Sequence, residues 1–323
     1  MQAILSVTVP FFALILIGYT AARSGLLPLD SVPGLNTFVL YVALPAMLMR
    51  FGMNTPVLEL FDPVVMGLYL AAAAVLVATA VLAGRRMGLR LKDASFSALV
   101  AAFPNSGFIG VPLLVALLGT GAAGPVICTL LGDIFITTGA CVALAQAGEA
   151  TRGQALFSRL KTALLAPLRN PQPWAIALGA LLSVLQWRLP GPVDSVVRML
   201  ADAASPVALF TLGAVLWRTR SPAGTGSRAP LVWGIVAFKL MLHPALVFGL
   251  CMLLRALGLA LSDLTVVAVT LVAALPSASN VVMLAERYGA DNGLVARIVL
   301  GSTAAAFGSF SLLAWLFGIQ PVG

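Results

Sequence analysis

Two short polar clusters and three isolated charges carry the chemistry this sequence offers. The first cluster, Pro104, Asn105, Ser106 and Gly107, interrupts the apolar run LVAAFPNSGFIGVPLLVALL from Leu99 to Leu118. The second, Pro276, Ser277, Ser279 and Asn280, interrupts TVVAVTLVAALPSASNVVMLAERY from Thr265 to Tyr288. The charges Asp133, Lys239 and His243 each fall inside a further apolar run. Asn and Ser side chains are neutral donors that can orient a carboxylate without a full cation having to be desolvated. Their joint appearance with proline in two separate runs points to binding of an anion.

Such clusters need elements that hold them. Proline removes a backbone donor and clashes with the preceding turn, so a helix arriving at Phe103 should stop and a second should start near Ser106. The same reasoning breaks the later run at Pro276 and restarts it near Asn280. In hydrocarbon an unsatisfied backbone group costs several kcal/mol, so a broken membrane helix persists only where protein or a wet cavity covers it. The N-terminus of each second half presents free N–H groups and about half a positive charge, which favours an anion. Asn and Ser are also common helix caps, and that role is compatible with ligand contact.

Composition sets the environment. The chain has 323 residues, 60% hydrophobic and 9% charged, too few polar residues to cover a soluble globule of this size. Apolar runs of about 18 to 25 residues without barrel-like alternation indicate an all-α polytopic membrane protein. The opening run has no basic residue before Arg23, so it reads as a retained span and not a cleaved leader. Cys128, Cys141 and Cys251 lie in apolar runs without CxxC spacing, which argues against disulfides or zinc. The net charge of +8 comes from short connections, not a basic domain, so no nucleic-acid partner is expected.

Ten spans are expected at about 3 to 22, 34 to 50, 62 to 83, 94 to 118, 124 to 147, 172 to 187, 193 to 217, 231 to 257, 264 to 288 and 294 to 318. The fourth and ninth are the broken ones. This divides the chain into a first repeat over 1–148, a connection over 149–170 and a second repeat over 171–323. The connection TRGQALFSRLKTALLAPLRN suits a short amphipathic surface helix. Five spans per half invert the second half relative to the first, the plan of secondary transporters whose sites lie at discontinuous helices. Fourteen Lys and Arg fall in connections after odd-numbered spans, against Arg50, Arg188, Arg198 and Arg255 after even ones. By the positive-inside rule both termini lie outside the cytoplasm, and a bacterial inner membrane is the expected location.

Lys239 and His243 are four apart and share a helix face. Asp133 and Lys239 both sit roughly 12 to 14 Å deep by helical rise, so pairing, or a proton or ion relay, is the expected use of such costly charges. Glu286 and Arg287 read as interfacial anchors, while Pro45 and Pro206 read as repeat counterparts that shape packing. No HExxH, GxSxG or Walker loop is present, and no enzyme is expected. The reading is alternating-access transport of a small organic anion, its carboxylate held at the crossover of the broken helices. An inorganic sodium/proton exchanger using Asp133 and His243 is the alternative. No cofactor is expected beyond a coupling proton or sodium; the partners are the substrate, the bilayer and, as an open assembly, a second copy in a homodimer.

The stretches AAFPNSGFIGVPLL and ALPSASNVVMLAERYG resemble the fourth and ninth spans of the auxin efflux carrier family, in particular its bacterial members labelled malonate or organic-acid carriers. The resemblance covers essentially the full chain. It implies a fold similar to bile acid symporters and sodium/proton antiporters, with crossed broken helices in a mobile, elevator-like domain. Spans one, two, six and seven would form the scaffold. It implies that Pro104 and Pro276 are crossover prolines, that Asn105 and Asn280 contact substrate, and that Asp133 and Lys239 are the intramembrane charges. The short central connection differs from that of the plant carriers and argues against auxin itself.

Overall fold

The computed structural model describes residues 2–147, 170–218 and 229–320. Within them the chain is helical, and the one β-type pairing is an isolated antiparallel bridge between Pro104 and Ser277. We number the elements α1 (Gln2–Arg23), α2 (Leu29–Asn54), α3 (Pro63–Arg86), α4 (Leu91–Ala102), α5 (Ser106–Leu118), α6 (Thr120–Ala147), α7 (Pro171–Val184), α8 (Gly191–Arg218), α9 (Ala229–Ala256), α10 (Asp263–Ala274), α11 (Asn280–Arg287) and α12 (Asn292–Leu316). Among the described residues seven helices are long and apolar enough to cross a bilayer: α1, α2, α6, α8, α9, α12 and the stretch Val57–Arg86 that includes α3. The molecule is an integral membrane protein. The amphipathic surface helix expected between Gly148 and Asn170 lies outside the described residues, except for Asn170 itself.

Helix starts follow from local chemistry. Asp62 accepts from the N–H groups of Val64 and Val65 to cap α3, with Pro63 filling a position that needs no donor. Ser262 and Asp291 cap α10 and α12 in the same way. Asp93 in the first turn of α4 accepts from Arg90 and from the backbone N–H of Asp291, tying the start of α4 to the start of α12.

Two packing groups emerge. Helix α1 lies along α8, and α2 lies along α7 and α8. These contacts are backbone to backbone: a side chain at Gly18 would collide with the Phe210 backbone, and one at Gly213 with Ile15 and Tyr19. Gly179 abuts Met49 and Gly52 abuts Ile176 in the same manner. Glycine is needed at these four positions because any Cβ would force the helices apart. The other group joins α3 to α4, α4 to α6, α6 to α10 and α9 to α10 and α12, and it contains both breaks.

Candidate functional site

Helix α4 ends where the sequence places its stop, with Phe103 extended and Pro104 following. Asn105 then caps α5, its side-chain oxygen accepting from the Phe108 N–H at 3.3 Å. Its carbonyl takes the N–H groups of both Ile109 and Gly110, which opens α5 with a wide π turn over Ser106–Gly110. Helix α10 ends at Ala274, and α11 begins at Asn280. The expected restart points at Ser106 and Asn280 are both observed.

The breaks meet. The Asn105 N–H donates to the Pro276 carbonyl at 2.8 Å, and the Ala278 N–H donates to the Phe103 carbonyl at 2.9 Å. The Ser277 N–H donates to the Ser302 hydroxyl oxygen at 3.1 Å, so α12 supports the second break. Backbone groups freed by the two prolines thereby satisfy one another. Several side-chain atoms at the junction stay unsatisfied among the described residues: Asn105 Nδ2, Ser106 Oγ, Ser277 Oγ and Asn280 Oδ1 are buried without a hydrogen-bond partner. A buried polar atom without a partner costs about 1–3 kcal/mol, and such atoms cluster where something else is to be bound.

A cavity of about 20 Å³ lies against the junction, walled by Pro104, Asn105, Gly107, Ser279 and Asn280 together with Leu44, Leu130 and Gln172. Ser106 and Ser277 are buried and do not line it. A second cavity of about 380 Å³ shares Phe103, Gln172 and Asn280 with the first and extends past Ile134, Thr138 and Met283 to Arg287 and Tyr288. Sequence reasoning missed Gln172 and assigned Arg287 to the interface. Gln172 is buried at the start of α7, its backbone N–H taken by the Asn170 side chain at 3.0 Å. An amide between two prolines at the head of an apolar run was the available signal, but its partner across the cavity was not.

The three intramembrane charges form a separate, sealed row. Asp133 begins a π turn in α6, and Lys239 lies in another in α9. The sequence reading expects pairing, or a proton or ion relay, of these charges; among the described residues no direct ion pair joins Asp133 to Lys239. The Tyr69 hydroxyl donates to Asp133 Oδ2 and the Thr137 hydroxyl to Oδ1, both at 3.0 Å. Lys239 Nζ lies 3.1 Å from His243 Nδ1 and donates to the Ala273 carbonyl at 3.1 Å. Tyr69 reaches in from α3 and touches both sides of the row, its hydroxyl on Asp133 and its ring centroid 5.5 Å from that of His243. As an ammonium Lys239 can only donate, which makes Nδ1 the acceptor and puts the ring proton on Nε2. That Nε2 has no partner among the described residues. All four side chains are fully buried, and none lines either cavity at the junction.

A bilayer-embedded helical chain with paired interrupted helices around an internal cavity has the build of a transporter. The chain belongs to the membrane transport protein family, whose model matches residues 3–316, and the resemblance to auxin efflux carriers read from the two motifs is thereby borne out. It is 31% identical over 297 residues to a protein of Rhizobium meliloti (strain 1021) named "Putative malonate transporter", covering 90% of this chain and 88% of that one. It is 27% identical over 317 residues to an "Uncharacterized transporter" of Methanothermobacter thermautotrophicus, covering 96% of each.

Proposed function

We propose that this membrane transporter carries a small organic anion by alternating access, with the carboxylate held where the two breaks meet. The observation that carries the reading is the set of unsatisfied polar atoms at the junction, beside a cavity that continues toward Arg287. Asn105 and Asn280 supply the amides, Gly107 and Ser279 the small wall residues, Ser106 and Ser277 buried hydroxyls beside them, and Pro104 and Pro276 the crossing itself. The relative named for malonate supports a carboxylate as cargo. No catalytic role is assigned to any residue.

Ten spans in two inverted halves fit the packing. Gly18 and Gly179, Gly52 and Gly213, Met49 and Phe210, and Ile15 and Ile176 are each separated by the same 161 positions, and the contact of Gly18 with Phe210 recurs as Gly179 with Met49. Pro45 and Pro206 keep the same interval, as the sequence reading of them as counterparts requires. With the basic residues on one side, both termini lie outside and the larger cavity opens toward the cytoplasm of a bacterial inner-membrane protein.

The row Asp133, Tyr69, His243 and Lys239 is the candidate seat of coupling to a proton. An inorganic ion exchanger centred on Asp133 and His243 draws less support, because both Asp133 oxygens already accept hydrogen bonds from protein. Uptake and counterflow of malonate and other short acids in proteoliposomes, with imposed proton or sodium gradients, tests substrate and coupling together. Carboxylate accumulation that survives Asn105→Ala and Asn280→Ala unchanged would move the site away from the junction.

A further inference from the structure

We propose that Arg287 is a specificity-determining residue whose guanidinium holds the second carboxylate of a short dicarboxylate, while Asn280 and Gln172 hold the first. This rests on the reading of the junction as a carboxylate site and adds a second anchor to it.

Asn280 and Arg287 are seven residues apart on α11, which returns them to one helix face about 10 Å apart along the axis. Long side chains on a helix lean toward its N-terminus, so the guanidinium is carried back from its Cα toward Asn280. Both residues line the 380 Å³ cavity, and among the described residues Arg287 is its single charged wall residue. Arg287 makes no hydrogen bond or ion pair among the described residues, and the neighbouring Glu286 does not line the cavity. At the other end the Gln172 amide is buried, and Asn280 Oδ1 is without a partner. Asn105 Nδ2, on a side chain 4% exposed, is unpartnered in the adjoining pocket.

The cavity therefore has two anion-favouring ends. One combines side-chain amides with the N-terminus of α11, and the other is a planar fork suited to bidentate carboxylate binding. Between them Ile134, Met283 and Leu284 present apolar walls that match the methylene spacer of a short dicarboxylate. The last turn of a helix is also where a cation complements the macrodipole, but that role needs only charge and would not discriminate between ligands with one and two carboxylates.

The test compares malonate with its monomethyl ester, which keeps the three-carbon frame, adds one methyl and removes one charge, by equilibrium binding to the full chain in lipid nanodiscs. The wild type should prefer malonate by about tenfold or more, the scale of a hydrogen bond to a charged group. Arg287→Gln should abolish that preference while leaving ester affinity unchanged, and Arg287→Lys should retain part of it. A preference that persists in Arg287→Gln, or an equal loss for both ligands, overturns the inference and leaves the junction site standing. If malonate binding is indifferent to Asn105→Ala and Asn280→Ala, or if neither ligand binds the wild type, the inference fails together with the reading beneath it.

Discussion

The Asn105 N–H donates to the Pro276 carbonyl at 2.8 Å, so the first break is tied to the second through backbone alone. Truncating the side chain at 105 leaves that tie in place and removes the unpartnered amide nitrogen together with the side-chain cap on the Phe108 N–H. Asn105→Ala and Asn280→Ala are expected to fold and to weaken carboxylate binding by about 1.5 to 3 kcal/mol each, roughly tenfold or more in Kd. Pro104→Ala differs: a helix continued through position 104 withdraws the amides from the junction, so transport should collapse even where protein yield holds. Isothermal titration of the three variants with the best-binding acid decides this, and unchanged affinity in both asparagine variants counts against the site.

The Tyr69 hydroxyl and the Asp133 carboxylate are in direct contact, whereas no direct ion pair joins Asp133 to Lys239 among the described residues. Contacting groups couple by about 0.5 to 3 kcal/mol in double-mutant cycles, and separated ones approach additivity. A cycle built on Tyr69→Phe and Asp133→Asn should therefore give a larger coupling in thermal stability than one built on Asp133→Asn and Lys239→Met. The reverse order would restore the direct charge pair that sequence reasoning favoured.

Gly18 and Gly179 occupy matching helix contacts, each facing the backbone of a partner helix. Gly18→Ala and Gly179→Ala should each destabilise by about 1–3 kcal/mol, the usual range for overpacking. Gly67, with no atom near its missing Cβ, serves as the control, and Gly67→Ala should be neutral or mildly stabilising. Melting temperatures in one detergent compare the three, and a large difference between Gly18→Ala and Gly179→Ala would speak against equivalent contacts.

Orientation rests on the distribution of basic residues. Single cysteines placed at 85–92 and 218–228 of a cysteine-free variant should be shielded from an impermeant thiol reagent in intact cells. Labelling of both from outside would invert the assignment.

The breaks were legible because proline and small polar residues inside an apolar run have few structural outcomes, and Phe103, Ser106 and Asn280 mark the observed ends and restarts. Depth along a helix gives height and not bearing, so the sequence places Asp133 and Lys239 at one level without fixing which side chains they touch. Tyr69 comes from a helix whose rotation only packing fixes. Gln172 and Arg287 were missed as cavity residues for a related reason. Each is an ordinary helix-end residue in its own segment, and the wall they share is created by α7 and α11 lying on opposite sides of one space. The π turns at Asp133 and Lys239 carry no composition signal at all, since they depend on tertiary contacts widening an otherwise regular helix.

The small size of the pocket at the junction bears on energy conservation in the cell. A protein that held an unbroken file of water between the two faces of a membrane would discharge the potential across it, worth about 2.3 kcal/mol for each charge per 100 mV. At the junction the open space shrinks to about 20 Å³, room for about one water molecule, while the adjoining cavity is roughly twenty times larger. If the junction holds the cargo as proposed, the crossing from Phe103 to Phe108 and from Pro276 to Asn280 must also be the electrical seal, with the larger cavity as its wet approach.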